Sequence, residues 1–155
     1  MHKIECMSDD APFSTPIDAK TKILIVDDSP QFSMILSRLL SGVFGYSSIV
    51  SLSNTADALE RINATPSEFG LVFLDFHFPS GLNGAQLLAA LSERELLGQK
   101  IIFLMSSDPT AEALQQVLKS GAAGVITKPF DREELKRQLD RAVRLAAGDE
   151  ESFSV

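Results

Sequence analysis

The sequence predicts an α/β fold, a doubly wound five-stranded parallel sheet with helices on both faces. Three observations carry that expectation. Apolar runs of strand length alternate five times with stretches whose apolar residues recur at helical spacing, the pattern of successive strand–helix–strand crossovers. The run Leu71-Val72-Phe73-Leu74 is apolar without alternation, as a strand must be when helices cover both its faces. Four of the runs stop abruptly at polar residues, Asp27-Asp28, Asp75, Ser106-Ser107 and Lys128-Pro129, where the chain would leave the core.

Taken in order, residues 1–20 contain Pro12, Pro16 and several Ser, Thr and Asp without periodicity, and read as a flexible tail. Lys22-Ile23-Leu24-Ile25-Val26 is the first strand. Ser29 is placed to cap a helix with Pro30 at its first position, where the missing N–H costs nothing. Phe32, Ile35, Leu36, Leu39 and Leu40 form that helix's apolar stripe. Ser47–Leu52 is a weaker strand, and Asn54 caps a helix carrying Ala58, Leu59 and Ile62 that closes before Pro66.

The third strand ends at Asp75, and a helix with Leu87, Leu88 and Leu91 follows Asn83. Lys100–Met105 is the fourth strand. Asp108-Pro109 opens a helix burying Leu114, Val117 and Leu118 until Gly121 stops it. Gly124–Thr127 is a short fifth strand, and Asp131 with Glu134 has capping-box spacing. The last helix carries Leu135, Leu139, Ala142, Val143 and Ala146, with Gly148 past its end. The predicted organisation is a tail over 1–20, one folded domain over 21–146, and a short acidic tail over 147–155.

At 155 residues the chain fits one domain with a single sizeable core. Its net charge of −7 is uneven: the two tails together hold −5 and residues 21–146 hold −2. Direct nucleic-acid binding is not expected, because the basic residues Arg132, Lys136, Arg137, Arg141 and Arg144 are interleaved with Glu133, Glu134 and Asp140. A lone cysteine, Cys6, offers no internal disulfide and no zinc cluster. No apolar run approaches the roughly 20 residues of a membrane helix and the N-terminus has no basic segment followed by an apolar stretch, so neither membrane insertion nor secretion is expected and the protein reads as cytoplasmic.

Right-handed crossovers put the carboxyl ends of all parallel strands on one edge, which in open α/β sheets is the ligand-binding edge. A single Asp at a strand end is usually a solvated turn residue. Here Asp27, Asp28, Asp75, Ser106 and Lys128 converge there together. Three clustered carboxylates repel one another unless a cation intervenes, and Mg²⁺ suits such a set. Lys128 supplies a mobile positive charge for phosphate and Ser106 a hydroxyl donor. Phosphoryl transfer needs positioning and charge neutralisation, and a carboxylate can serve as its nucleophile. Asp75, on the central strand, is the candidate.

These residues, with Ile23 to Pro30, the Asp75 strand and its downstream Pro79 and Gly84, Ile101 to Ser107, and Gly121-Ala122-Ala123-Gly124 through Lys128-Pro129-Phe130, resemble the receiver domain of bacterial two-component response regulators, in its chemotaxis-type single-domain form. The resemblance implies the flavodoxin-like receiver fold with strand order 2-1-3-4-5. It implies that Asp75 accepts a phosphoryl group from a phosphohistidine on a sensor histidine kinase or a phosphotransfer protein. Asp27, Asp28, Asp75 and the backbone carbonyl of His77 would hold Mg²⁺, while Ser106 and Lys128 would contact the phosphoryl oxygens. The Lys128–Pro129 bond would be cis. Such a protein catalyses only its own phosphorylation and dephosphorylation, and signals through phosphorylation-dependent contacts with an output protein.

Four features depart from the family pattern. The loop Pro79–Gly84 is one residue longer than usual, Ser106 replaces the commoner Thr, and Val125 stands where many members carry Tyr or Phe. His77 and Asp108 occupy positions that tune dephosphorylation, and His77 is expected simply to face solvent. After Ala147 only Gly148 to Val155 follow, so output is expected through protein contacts, although the receiver fragment of a longer regulator would read the same. A docking module that is never phosphorylated is the alternative, and the intact Asp27, Asp28, Asp75, Ser106 and Lys128 argue against it. A cofactor-binding flavodoxin relative or small phosphatase would need a Gly-rich phosphate loop or an Asp-x-Asp strand end, and the chain has neither.

Overall fold

Alternation along each strand builds the molecule. In the computed structural model, whose described residues are 17–98, 100–108, 119 and 121–148, the strands are β1 (Lys22–Val26), β2 (Ser48–Leu52), β3 (Leu71–Asp75), β4 (Ile101–Ser106) and β5 (Gly124–Thr127). They form one sheet in the order β2-β1-β3-β4-β5, every pair parallel. Successive strand residues point to opposite faces. Ile23, Ile25, Leu71, Phe73, Phe103 and Met105 therefore join one core, and Leu24, Val26, Val72, Leu74, Ile102 and Leu104 the other.

Helices α1 (Pro30–Arg38), α2 (Thr55–Ala64), α3 (Gly84–Glu93) and α4 (Arg132–Ala146) cover the sheet. Leu36 of α1 and Leu135, Leu139, Ala142 and Ala146 of α4 fill the first core. Ala58 and Ile62 of α2 and Leu87, Leu88 and Leu91 of α3 fill the second. A five-residue π turn, Leu39–Val43, prolongs α1 and buries Leu40. The caps follow the sequence: Ser29 accepts from the Phe32 N–H, Asn54 from Asp57 and Asp131 from Glu134. Gly121 and Gly148 take positive φ values of 103° and 90°, the left-handed conformation that ends helices. The Lys128–Pro129 bond is cis. Among the described residues no helix is long and apolar enough to cross a membrane.

The structure corrects several expectations. Ile35 is 56% exposed and Val143 42%, because the buried arcs of α1 and α4 are narrower than their apolar stripes. Met34, on α1, is also exposed at 49% while Ser33 is buried. Asp131 caps α4, but the Glu134 carboxylate turns to Arg137 and Gln138 rather than back to the cap. A two-way capping box forms instead between Asn83 and Gln86 at the start of α3. The predicted tail over 1–20 reaches too far: Ile17 packs in the first core, and the Asp18–Thr21 turn is tied by its own hydrogen bonds. Strand β4 starts at Ile101, one residue later than expected, with Lys100 buried just before it. The helix expected after Asp108 and the outer parts of both tails lie outside the described residues.

Candidate functional site

Strand register puts the site residues level. Val26 pairs with Leu74, Asp75 with Met105, and Ser106 with Thr127. The ladder then runs one residue further, through Asp27 N–H to the Leu52 carbonyl, Phe76 N–H to Met105 and Lys128 N–H to Ser106, at 3.0, 2.8 and 2.8 Å. Asp27, Asp75 and Lys128 thus leave the sheet from backbone that is still hydrogen-bonded. Their side chains inherit the rigidity of the core.

The expected acids meet. Asp27, Asp28 and Asp75 each offer a carboxylate oxygen, and these three atoms lie within 4.8 Å of one another. Asp27 and Asp75 are buried and Asp28 is exposed, so the cluster opens to solvent on the Asp28 side. The Lys128 ammonium donates to Asp27 Oδ2 at 2.9 Å and lies 3.5 Å from Asp75 Oδ1. The other oxygen of Asp27 accepts the Ser29 N–H at 2.9 Å. One ammonium thus serves two buried carboxylates. Burial, and then the neighbouring Asp27 charge, push the Asp75 carboxyl above its ordinary pKa, with Lys128 pulling the other way. Such a carboxylate is under-neutralised, and a hard cation with oxygen ligands relieves it. The donor set, three carboxylates with one on the solvent side, fits Mg²⁺.

Ser106 is buried, and its hydroxyl oxygen accepts the Asp108 N–H at 3.2 Å. Among the described residues nothing accepts its own proton. His77 is exposed, its ring edge-on to Phe76 at 4.7 Å between centroids, in keeping with the solvent-facing role expected of it. Val125 is half-buried against the second core.

Three supports of the site were not legible as such. Gly84 donates its N–H to the Phe76 carbonyl at 2.9 Å, and a Cβ there would overlap the Asp75 carbonyl oxygen and stand 2.9 Å from Phe76 Cα. No larger residue lets α3 begin this close to the acid's backbone. Thr55, buried at the start of α2, donates its hydroxyl to the Leu82 carbonyl at 2.8 Å and so ties down the loop between Pro79 and Gly84. The Lys128 ammonium lies 4.1 Å from the centre of the Phe32 ring, a residue whose spacing marked it only as core. Gly84 carried a signal in its place after the Asp75 strand. Thr55 and Phe32 carried none, because their partners are 27 and 96 residues away.

Comparison with known proteins agrees with this fold. Residues 23–140 match the family model described as the response regulator receiver domain. The chain is 30% identical over 127 residues to the nitrate/nitrite response regulator protein NarL of Escherichia coli K12, covering 82% of this chain and 55% of that one. It is 33% identical over 130 residues to the "Probable transcriptional regulatory protein NarL" of Mycobacterium tuberculosis H37Rv, covering 83% and 58%. The chain therefore spans little more than half the length of these relatives. The solved signal receiver domain of the M. tuberculosis NarL superposes with a TM-score of 0.68 at 31% identity, over 79% of this chain and 96% of that one. The chemotaxis protein CheY4 of Vibrio cholerae shares the fold, with a TM-score of 0.70 at 24% identity over 79% and 98%.

Proposed function

The chain belongs to the response regulator receiver domain family, and from that premise we propose that residues 21–146 form a phosphoryl-accepting receiver with Asp75 as acceptor. The observation that carries the reading is the buried Asp75 carboxylate, clustered with those of Asp27 and Asp28 and only partly neutralised by Lys128. An oxygen of Asp75 bonds to phosphorus as the P–N bond of a phosphohistidine breaks. The imidazole leaves with the bonding pair and takes up a proton. The donor is a sensor histidine kinase or a phosphotransfer protein.

Asp27, Asp28 and Asp75, with the His77 carbonyl, would hold Mg²⁺, which when bound would neutralise charge on the acids and on the incoming phosphoryl oxygens. The protein's own groups do the rest. Lys128 exchanges its contact with Asp27 for a phosphoryl oxygen. Ser106 donates its hydroxyl proton to another. The chemistry is confined to the protein's own phosphorylation and dephosphorylation, and output runs through contacts that differ between the two states.

Incubation with Mg²⁺ and acetyl phosphate, followed by intact mass measurement, tests the assignment. Wild type should gain one phosphoryl group and Asp75→Asn none. An adduct of full occupancy on the Asn variant would sink it. Asp28→Ala should abolish Mg²⁺-dependent spectral change while the fold survives, because Asp28 is exposed and supports no core packing. Unaltered Mg²⁺ titration of that variant would remove Asp28 from the ligand set.

A further inference from the structure

Lys128 is held by more than its two carboxylates. Four contacts close a circuit through the start of α1. Ser29 N–H donates to Asp27 Oδ1 at 2.9 Å, and Phe32 N–H donates to Ser29 Oγ at 3.2 Å. The Phe32 ring faces the Lys128 ammonium at 4.1 Å, and Lys128 returns to Asp27 Oδ2 at 2.9 Å. The ring itself is also held by a second aromatic side chain. Phe130, two residues after Lys128, meets it edge-to-face at 5.6 Å and 83°. The ammonium, the ring beneath it and the acid beside it thus form one closed unit, with Lys128 only 16% exposed at its side chain.

We propose that Phe32 is a positioning residue of the acceptor site, its ring being the platform that holds the Lys128 ammonium between Asp27 and Asp75. The inference rests on the reading of Asp75 as acceptor and deepens it. The negative face of an aromatic ring attracts a cation at close range, yet it takes up none of the three N–H protons in a strong hydrogen bond. A third carboxylate in that place would compete with the phosphoryl group for Lys128. The ring keeps the ammonium at the right height and leaves it free to redirect from Asp27 to an arriving oxygen. A partly desolvated cation responds to the electron density of the ring, whereas a packing contact responds only to its shape.

The test replaces Phe32 with mono-, di- and trifluorophenylalanine, which keep the ring's shape while draining its negative face, and also with Leu. Two quantities are read: the rate of mass gain with Mg²⁺ and acetyl phosphate, from which acetate leaves with the bonding pair, and the Lys128 ε-methylene proton resonance in the unphosphorylated protein. That resonance should lie upfield in wild type and return to its ordinary position in Phe32→Leu. The rate should fall stepwise with each fluorine, and about 3- to 10-fold in Phe32→Leu. A rate indifferent to fluorination overturns the platform and leaves the acceptor assignment intact. An unmoved Lys128 resonance in Phe32→Leu overturns it as well. An upfield Lys128 in a wild-type protein that takes no phosphoryl group overturns instead the reading of Asp75, and with it the role assigned to Phe32 in that reaction.

Discussion

The two edges of the sheet carry charge in opposite proportions. At the carboxyl edge, among the described residues, three carboxylates cluster and the Lys128 ammonium contacts two of them, Asp27 and Asp75. At the amino edge one carboxylate, Glu68, receives two cations: Lys22 at 2.8 Å, and Arg61 through two of its nitrogens, each at 2.8 Å. Both edges even set a cation against a ring, Lys128 on Phe32 at 4.1 Å and Arg61 on Phe69 at 5.5 Å. The bonds to Arg61 and then Lys22 hold the Glu68 carboxyl down to about 2, while burial raises that of Asp75. A satisfied network fastens loops together. An unsatisfied one stores repulsion that a ligand can relieve, and this is how a site trades stability for function.

A second lysine sharpens the contrast. Lys100 is buried just before β4 at the amino edge, where its ammonium donates to the backbone carbonyls of Leu96, at 2.8 Å, and Pro66. Burial pulls its pKa down, yet the bonds tie the loop after α3 to the loop after α2. Lys100→Met would keep most of the volume and strand both carbonyls. It should destabilise the fold by about 2–3 kcal/mol, read as a lower denaturant midpoint. An unchanged midpoint would show the staple to be dispensable.

The opposite sign is expected across the sheet. A carboxyl whose pKa is raised by folding contributes stability that is full below its unfolded value, near 4, and lost as pH rises through the folded value. Folding therefore disfavours the ionised form of Asp75, and without Mg²⁺ Asp75→Asn should be the more stable protein at pH 7. The gain over wild type should shrink as pH is lowered towards 4. Chemical denaturation at pH 7 and pH 4 measures it, and a less stable variant at pH 7 would contradict the picture of an under-neutralised site.

Glu68→Gln should give the smallest change. Lys22 and Arg61 are 37% and 40% exposed at their side chains, so solvent screens the network and the loss at pH 7 should be below about 1 kcal/mol. A carboxyl whose pKa is lowered by folding contributes stability present above its unfolded value and lost as pH falls through the folded one. The difference between Glu68→Gln and wild type should thus fade between about 4.5 and about 2. A difference independent of pH across that window would assign the effect to packing.

Much of this was written locally in the chain. The apolar runs marked β1, β3 and β4 because burial on two faces demands unbroken apolar sequence, while β2 and β5, less fully buried, left a weaker mark. Ser29, Asn54 and Asp131 marked helix starts because a cap acts within three residues. The acids and Lys128 were legible because they stand where strands end, and parallel topology brings strand ends together. The tertiary structure alone decided what depends on distant partners. It exposed Ile35 and Val143, drew Ile17 into the core, turned Glu134 away from its cap, and set the Phe32 ring under Lys128. Apolar periodicity says that a side chain can be buried. Which face is covered, and by what, depends on an element tens of residues away, and no local pattern encodes that.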